Sequence, residues 1–290
     1  MPHGCSIGLG LAMGIMARVL LLRSDYRQYP TYPHGYASHL FLGIIAALVG
    51  AVSVPALMAQ EWTAVTFFVI VAQQFREIRS MERDSLEALE ETQLVARGSD
   101  YIESIARVFE ARYYIVIFVA ASASYGAERG GALMGIALGV LALIGSTLVV
   151  KTEPLARSVE VIPAPLSFHG PDLYVGDIFI MNVGLESSRE SIAEHGIGAI
   201  LIPKTETARD TLANLGQRQA ILHDAAGILG AKKDMDTPEF TPMATRHIQT
   251  GRVGVFMVPE EGDVQLLVNV IKRTPVLESA RGRSLYGQSP

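Results

Sequence analysis

One cysteine, Cys5, in 290 residues leaves no partner for an internal disulfide and no multi-cysteine metal site. Charge is sparse as well. Only 18% of the residues are Asp, Glu, Lys or Arg, against roughly 25% in soluble domains. The net charge of −5 gives no basic footprint, so nucleic acid is not an expected partner. Catalytic signatures are missing too: the chain has no HExxH, no GxSxG, no Walker lysine loop and no GxGxxG. Asp172 and Asp177 flank a strand start, but no DTG or DSG triplet marks an aspartic protease. His169, His195, His223 and His247 are scattered without ligand spacing, so no metal or cofactor is expected. His223-Asp224 reads as a helix entry with Asp224 as its N-cap.

What the chain has in quantity is apolar sequence. Hydrophobic residues make up 49% and the mean hydropathy is +0.29, with the apolar residues concentrated in the first half. Five segments approach the length of about 20 residues that a membrane span needs. They are Cys5–Leu22, Ser38–Met58, Trp62–Phe75, Tyr113–Ala127 and Gly130–Val150. The third and fourth are short and run into amphipathic helix on one side. Met1–Ser6 carries no Lys or Arg and no small-residue cleavage site follows, so the first segment reads as a retained anchor. Arg23 and Arg27 lie in the first connection, and Arg76, Arg79, Arg83, Arg97, Arg107 and Arg112 in the third. The opposite side has only Arg129. By the positive-inside rule the N-terminus is expected outside and the C-terminus in the cytoplasm.

Small residues repeat at four-residue spacing, at Gly131, Gly135 and Gly139 and at Gly10 and Gly14. Such stripes let helix backbones approach closely in lipid. No span carries an acidic residue at its centre, which disfavours a transporter. Arg18, one turn from the cytoplasmic end of its span, is expected to snorkel outward.

The first connection, RSDYRQYPTYPHGYASH (residues 23–39), is rich in rings. Prolines bias the residues before them toward extended geometry. A polyproline helix with three residues per turn would stack Tyr26, Tyr29 and Tyr32 on one face, with Tyr36 nearby. The segment is either an interfacial aromatic belt or a docking strip for a protein partner. In the third connection, Gly98 breaks a charged helix, and DYIESIARVFEARYY follows (100–114). Asp100 and Glu103 have capping-box spacing, and Glu103 stands four residues before Arg107, the favourable order for a helical ion pair.

The hexapeptide Tyr101-Ile102-Glu103-Ser104-Ile105-Ala106, together with the loop DYRQYPTYPHGY and the five-span layout, resembles the YIEGIA family, membrane proteins of endospore-forming bacteria. The resemblance spans the whole chain. Ser104 departs from the glycine of the signature. The resemblance implies a role in spore formation, and a link to regulated proteolysis during it, without a catalytic constellation to carry over.

From about Thr152 the composition turns globular. DIFIMNV, SSRESIAEHG and IGAILIP read as strand, helix and strand, a βαβ rhythm that favours a parallel sheet. TARDTLANLG reads as a further helix with Gly216 as C-cap, RVGVFMVP as a strand, and DVQLLVNVIKR as either.

The expected organisation is thus a membrane helical bundle over residues 1–151, with cytoplasmic loops at 23–37 and 76–112. A cytoplasmic α/β domain over 152–281 and a disordered tail at 282–290 complete it. The expected function is regulation of proteolysis in sporulation, or proteolysis itself by a membrane-bound protease of unrecorded type. Asp25, Asp100 and Glu103, all near the inner membrane face, are then the candidate acid–base groups. The alternative is a non-enzymatic scaffold that docks partners through Tyr26, Tyr29, Tyr32 and Tyr36. Expected partners are the lipid bilayer and a cytoplasmic protein or substrate; a homo-oligomer is compatible with the sequence.

Overall fold

The computed structural model describes residues 3–25, 33–90, 93, 95–150, 153–234 and 237–281. The chain divides into two compact units. The first comprises residues 1–84 and 105–151, the second residues 85–104 and 152–290. The segment carrying the first four residues of the hexapeptide therefore belongs with the C-terminal part of the chain, although 47 residues separate Ser104 from Thr152.

The first unit is helical. Helices α1 (Gly4–Asp25), α2 (Pro33–Met58) and α3 (Trp62–Glu90) are followed by α4 (Ser99–Val150). Among the described residues, three helices are long and apolar enough to cross a membrane, over Gly4–Leu22, Ala37–Met58 and Ser99–Leu148. The helix α3 is apolar only near its start and charged over its second half.

The helix α4 is a hairpin. Gly130 and Gly131 leave helical geometry, Gly131 with φ +76, a value that suits glycine. The chain then folds back on itself. A Cβ on Gly126 would stand 2.8 Å from the Cα of Gly135, and one on Gly139 would stand 3.0 Å from the Cβ of Ala123. A straight helix would separate such pairs by more than 13 Å at about 1.5 Å per residue. Of the glycine stripe read from the sequence, Gly135 and Gly139 lie in the seam of this hairpin and Gly131 makes its turn. The reversal falls at the first two residues of the fifth apolar run, Gly130–Val150.

The second unit has a four-stranded sheet of order β1-β5-β9-β8, built from β1 (Val159–Pro163), β5 (Ile197–Pro203), β8 (Met243–Arg246) and β9 (Val253–Met257). The strands β2 (Leu166–His169), β3 (Asp172–Val175) and β4 (Ile178–Asn182) form a separate meander, and β6 (Lys233–Asp234) pairs with β7 (Thr237–Pro238). Helices α5 (Glu186–His195), α6 (Glu206–Ala213), α7 (Leu215–Leu229) and α8 (Val264–Arg273) complete the unit.

Every pairing in the four-stranded sheet is antiparallel, which corrects the parallel βαβ expectation. The reason is that α5 carries the chain from one sheet to the other, so β4 and β5 are never neighbours. Strand pleating places Ile197, Ala199, Leu201, Val253, Val255 and Met257 in a core with α6, α7 and α8. Ile200 and Phe256 point the other way, into a core with the meander. Gly198 lets the two sheets close up, since a Cβ there would stand 2.9 Å from Leu166 and 3.0 Å from Val175. The ambiguous DVQLLVNVIKR is helix α8, capped by Asp263, whose carboxylate accepts from the N–H groups of Gln265 and Leu266.

Candidate functional site

The signature segment is held against α7 inside the second unit. Gly98 has φ +84 and its carbonyl accepts the N–H of Ile102 at 3.1 Å, so Gly98, not Asp100, caps α4. Asp100 is already inside the helix and exposed, which removes the Asp100–Glu103 capping box. A different residue serves the free donors at this helix start. The Tyr101 N–H donates to Gln219 Oε1 of α7 at 3.0 Å, satisfying a group that the helix itself leaves unpaired. A side chain on Gly98 would collide with the same Gln219 amide.

One glycine expectation changes here. Gly216 is not a C-cap; it lies in the first turn of α7, where a Cβ would stand 2.8 Å from the Asp100 carbonyl. Asn214 ends α6 and caps α7 instead, its side chain accepting from the N–H of Gln217. Close approach between the segments is thus supplied by Gly216, across from Ser104. The Ser104 hydroxyl donates to the Asp100 carbonyl at 2.7 Å and stands 2.7 Å from the Ser279 hydroxyl, so the departure from the signature glycine is accommodated.

Around Tyr101 several ionisable groups gather. Its ring meets His223 edge to face, with centroids 6.3 Å apart. His223 Nδ1 donates to the Val95 carbonyl at 3.0 Å. Arg97 pairs with Glu90 at 2.7 Å, both nearly buried. Asp224 sits mid-helix in α7 rather than at a helix entry. Burial pushes its carboxyl up to about 6; a hydrogen bond from the Thr274 hydroxyl and the charge of Arg97 oppose that rise. Burial, and then the Arg97 charge, lower the His223 imidazole.

Asp25 ends α1 in the helical unit, whereas Asp100 and half-buried Glu103 belong to the sheet unit. Tyr26, Tyr29 and Tyr32 lie outside the described residues, and Tyr36 falls in the first turn of α2. Asp177 is held in an ion pair with Arg252, at 3.1 and 2.5 Å, which keeps its carboxyl low.

A second polar cluster lies within the helical unit, and sequence reasoning missed it. Arg18 is 0% exposed; it does not snorkel. Its guanidinium lies 5.1 Å from the Tyr113 ring centre and 5.8 Å from that of Phe109, and its Nε donates to the His39 carbonyl at 3.3 Å. The aromatic faces attract the cation. Gly43 leaves the gap its aliphatic stem fills, for a Cβ there would collide with Arg18. His39 stacks on Phe109 at 4.3 Å, its Nδ1 is 3.0 Å from the Tyr113 hydroxyl, and Glu82 approaches to 3.8 Å. The available signal was an arginine and a histidine at the ends of apolar runs, positions that charge seldom occupies without a partner.

Three helices long and apolar enough to cross a membrane, together with an antiparallel sheet unit that clamps a YIES segment on α7, define the class of protein. The chain belongs to the YIEGIA protein family, whose model matches residues 6–286. It is similar to YphB of Bacillus subtilis (strain 168), an endospore former, with 42% identity over 271 residues, covering 93% of this chain and 91% of that one. No solved structure matches the chain.

Proposed function

We propose that this chain is a five-span protein of the cell membrane that regulates proteolysis during sporulation by docking partners, not by cutting bonds itself. Its N-terminus lies outside and its sheet unit in the cytoplasm. Supporting the span count, the two arms of the α4 hairpin supply two crossings and the apolar start of α3 supplies one more. The clustering of arginines in the first and third connections supports the orientation. The family's occurrence in an endospore former supports the sporulation role.

The observation that carries the non-enzymatic reading is the use made of the signature. The Tyr101 backbone N–H is spent on Gln219 and the Ser104 hydroxyl on Asp100 and Ser279, and Ile102, Ile105 and Ala106 are buried. That is the behaviour of a structural joint. Of the domains expected over 1–151 and 152–281, the second then takes in residues 85–104 as well. The test uses the purified full-length protein with candidate spore proteins. No defined cleavage products should appear, while Gly98→Ala and Gln219→Ala should impair sporulation and Glu103→Gln should not.

A membrane-bound protease is the second reading. Asp224 favours it, because a carboxyl raised to about 6 by burial suits general acid–base work. Glu103→Gln protein that accumulates normally yet fails in sporulation, together with cleavage products, would establish that reading instead.

A further inference from the structure

The helix α7 turns Ile221, Leu222 and Ala225 onto the four-stranded sheet. Arg218 stands three residues before Ile221 and four before Leu222, so it belongs to the same stripe, one turn nearer the helix start. On the edge strand β8, Ala244 packs on the helix side and Met243 on the meander side. Alternation therefore puts Arg246 on the helix side too. Because α7 packs across β8, two arginines meet at the margin of one core.

Neither forms an ion pair with a described residue. Among the described residues, the Nε of each is buried without a hydrogen-bond acceptor, and no carboxylate offsets the charge of Arg246 on Arg218. Neighbouring arginines differ. Arg209 donates to the carbonyls of Ile248 and Gln249, and Arg252 pairs with Asp177. The Arg218 and Arg246 side chains are half-buried, leaving part of each open to solvent. Paired planar guanidiniums match the oxygens of a phosphoryl group in geometry and charge, and the N-terminal dipole of α7 adds to the field.

We infer that Arg218 and Arg246 form a binding site for a phosphoryl group, supplied by a soluble phosphate ester or by a lipid headgroup. The site lies apart from the YIES joint and does not depend on the proposed sporulation role. Full-length protein in detergent is titrated calorimetrically with inorganic phosphate, ionic strength being held constant with chloride. Saturable binding is expected, weakened about tenfold or more in Arg218→Gln and in Arg246→Gln, the loss of one charge-assisted contact. Arg218→Lys and Arg246→Lys retain charge without the fork and serve where a glutamine variant does not fold; they too should bind more weakly. Repeating the titration in nanodiscs separates the sources. Phosphatidic acid that suppresses phosphate binding, relative to phosphatidylcholine, identifies a lipid headgroup, whereas unchanged binding identifies a soluble ester. Absence of saturable phosphate binding in detergent, or binding undiminished in all four variants, overturns the inference.

Discussion

Asp224 shows how one buried side chain sets a pH dependence. Its folded-state value of about 6 lies above the ordinary 3.8, so the folded protein holds this proton more tightly than the unfolded chain. The contribution to stability is therefore greatest below about pH 4 and is lost as pH rises through about 6. Asp224→Asn should stabilise the protein at pH 7.5 by on the order of 1–3 kcal/mol and change little at pH 4. Melting curves at the two pH values check this, and equal effects at both would show that burial of the charge is not the cause. His223, lowered by burial and Arg97, has the opposite sign: its protonation on acidification costs stability. Taking the variant–parent difference at each pH removes that contribution. At Gly98 the φ of +84 would cost a side chain about 1–2 kcal/mol, and the collision with Gln219 adds to it. Gly98→Ala should lower the unfolding midpoint, while Ser99→Ala, one residue on and inside the helix, should leave it nearly unchanged.

At the scale of elements, the α4 hairpin rests on glycines at the seam between its arms. Gly135 is a tight point, for a Cβ there would stand 2.9 Å from the Ala123 carbonyl oxygen and 2.9 Å from the Ala127 Cβ. Gly135→Val should splay the arms and reduce accumulation in the membrane. A direct probe is the double substitution Ala123→Cys and Gly139→Cys in a Cys5→Ser background. The two Cβ atoms fall close enough for a bridge, near the spacing of about 3.5–4.5 Å that disulfides require. Oxidation should give an intrachain cross-link, seen as a reversible gel shift; a continuous helix through Gly130 would give none. The same reasoning separates α7 from its sequence reading. Gly216 looked like a terminator because glycine commonly follows helices, yet here it admits the Asp100 backbone at a helix start.

For the whole molecule, the grouping of residues 85–104 with the C-terminal part has a measurable consequence. A fragment of residues 152–281 leaves Gln219 and His223 without Tyr101 and Val95, the partners they have in the chain. It should therefore unfold at a lower temperature than full-length protein's sheet unit, and a peptide of residues 93–104 added in trans should raise its midpoint, as binding to the folded state requires. No effect of the peptide would mean that the joint contributes nothing to the domain. The membrane topology is tested with a reporter fused after Pro290 that is active only outside the membrane. It should stay silent, and strong activity would overturn the five-span, cytoplasmic reading.

What the sequence determined by itself was whatever depends on local composition. Long apolar runs, the glycine stripe at Gly131, Gly135 and Gly139, the strands at 197–203 and 252–259 and the YIES signature are all legible, because hydrophobicity and periodicity act within a few turns of chain. Tertiary structure decided the rest. IGAILIP reads the same in a parallel or an antiparallel sheet; only its partner settles the matter, and β9 runs the other way. Arg18 snorkels or stays inside according to whether Tyr113 and Phe109, almost a hundred residues on, offer their faces. Gln219 caps a helix that begins 120 residues before it. Such contacts join groups far apart in sequence, where no local pattern registers them and only packing brings them within reach.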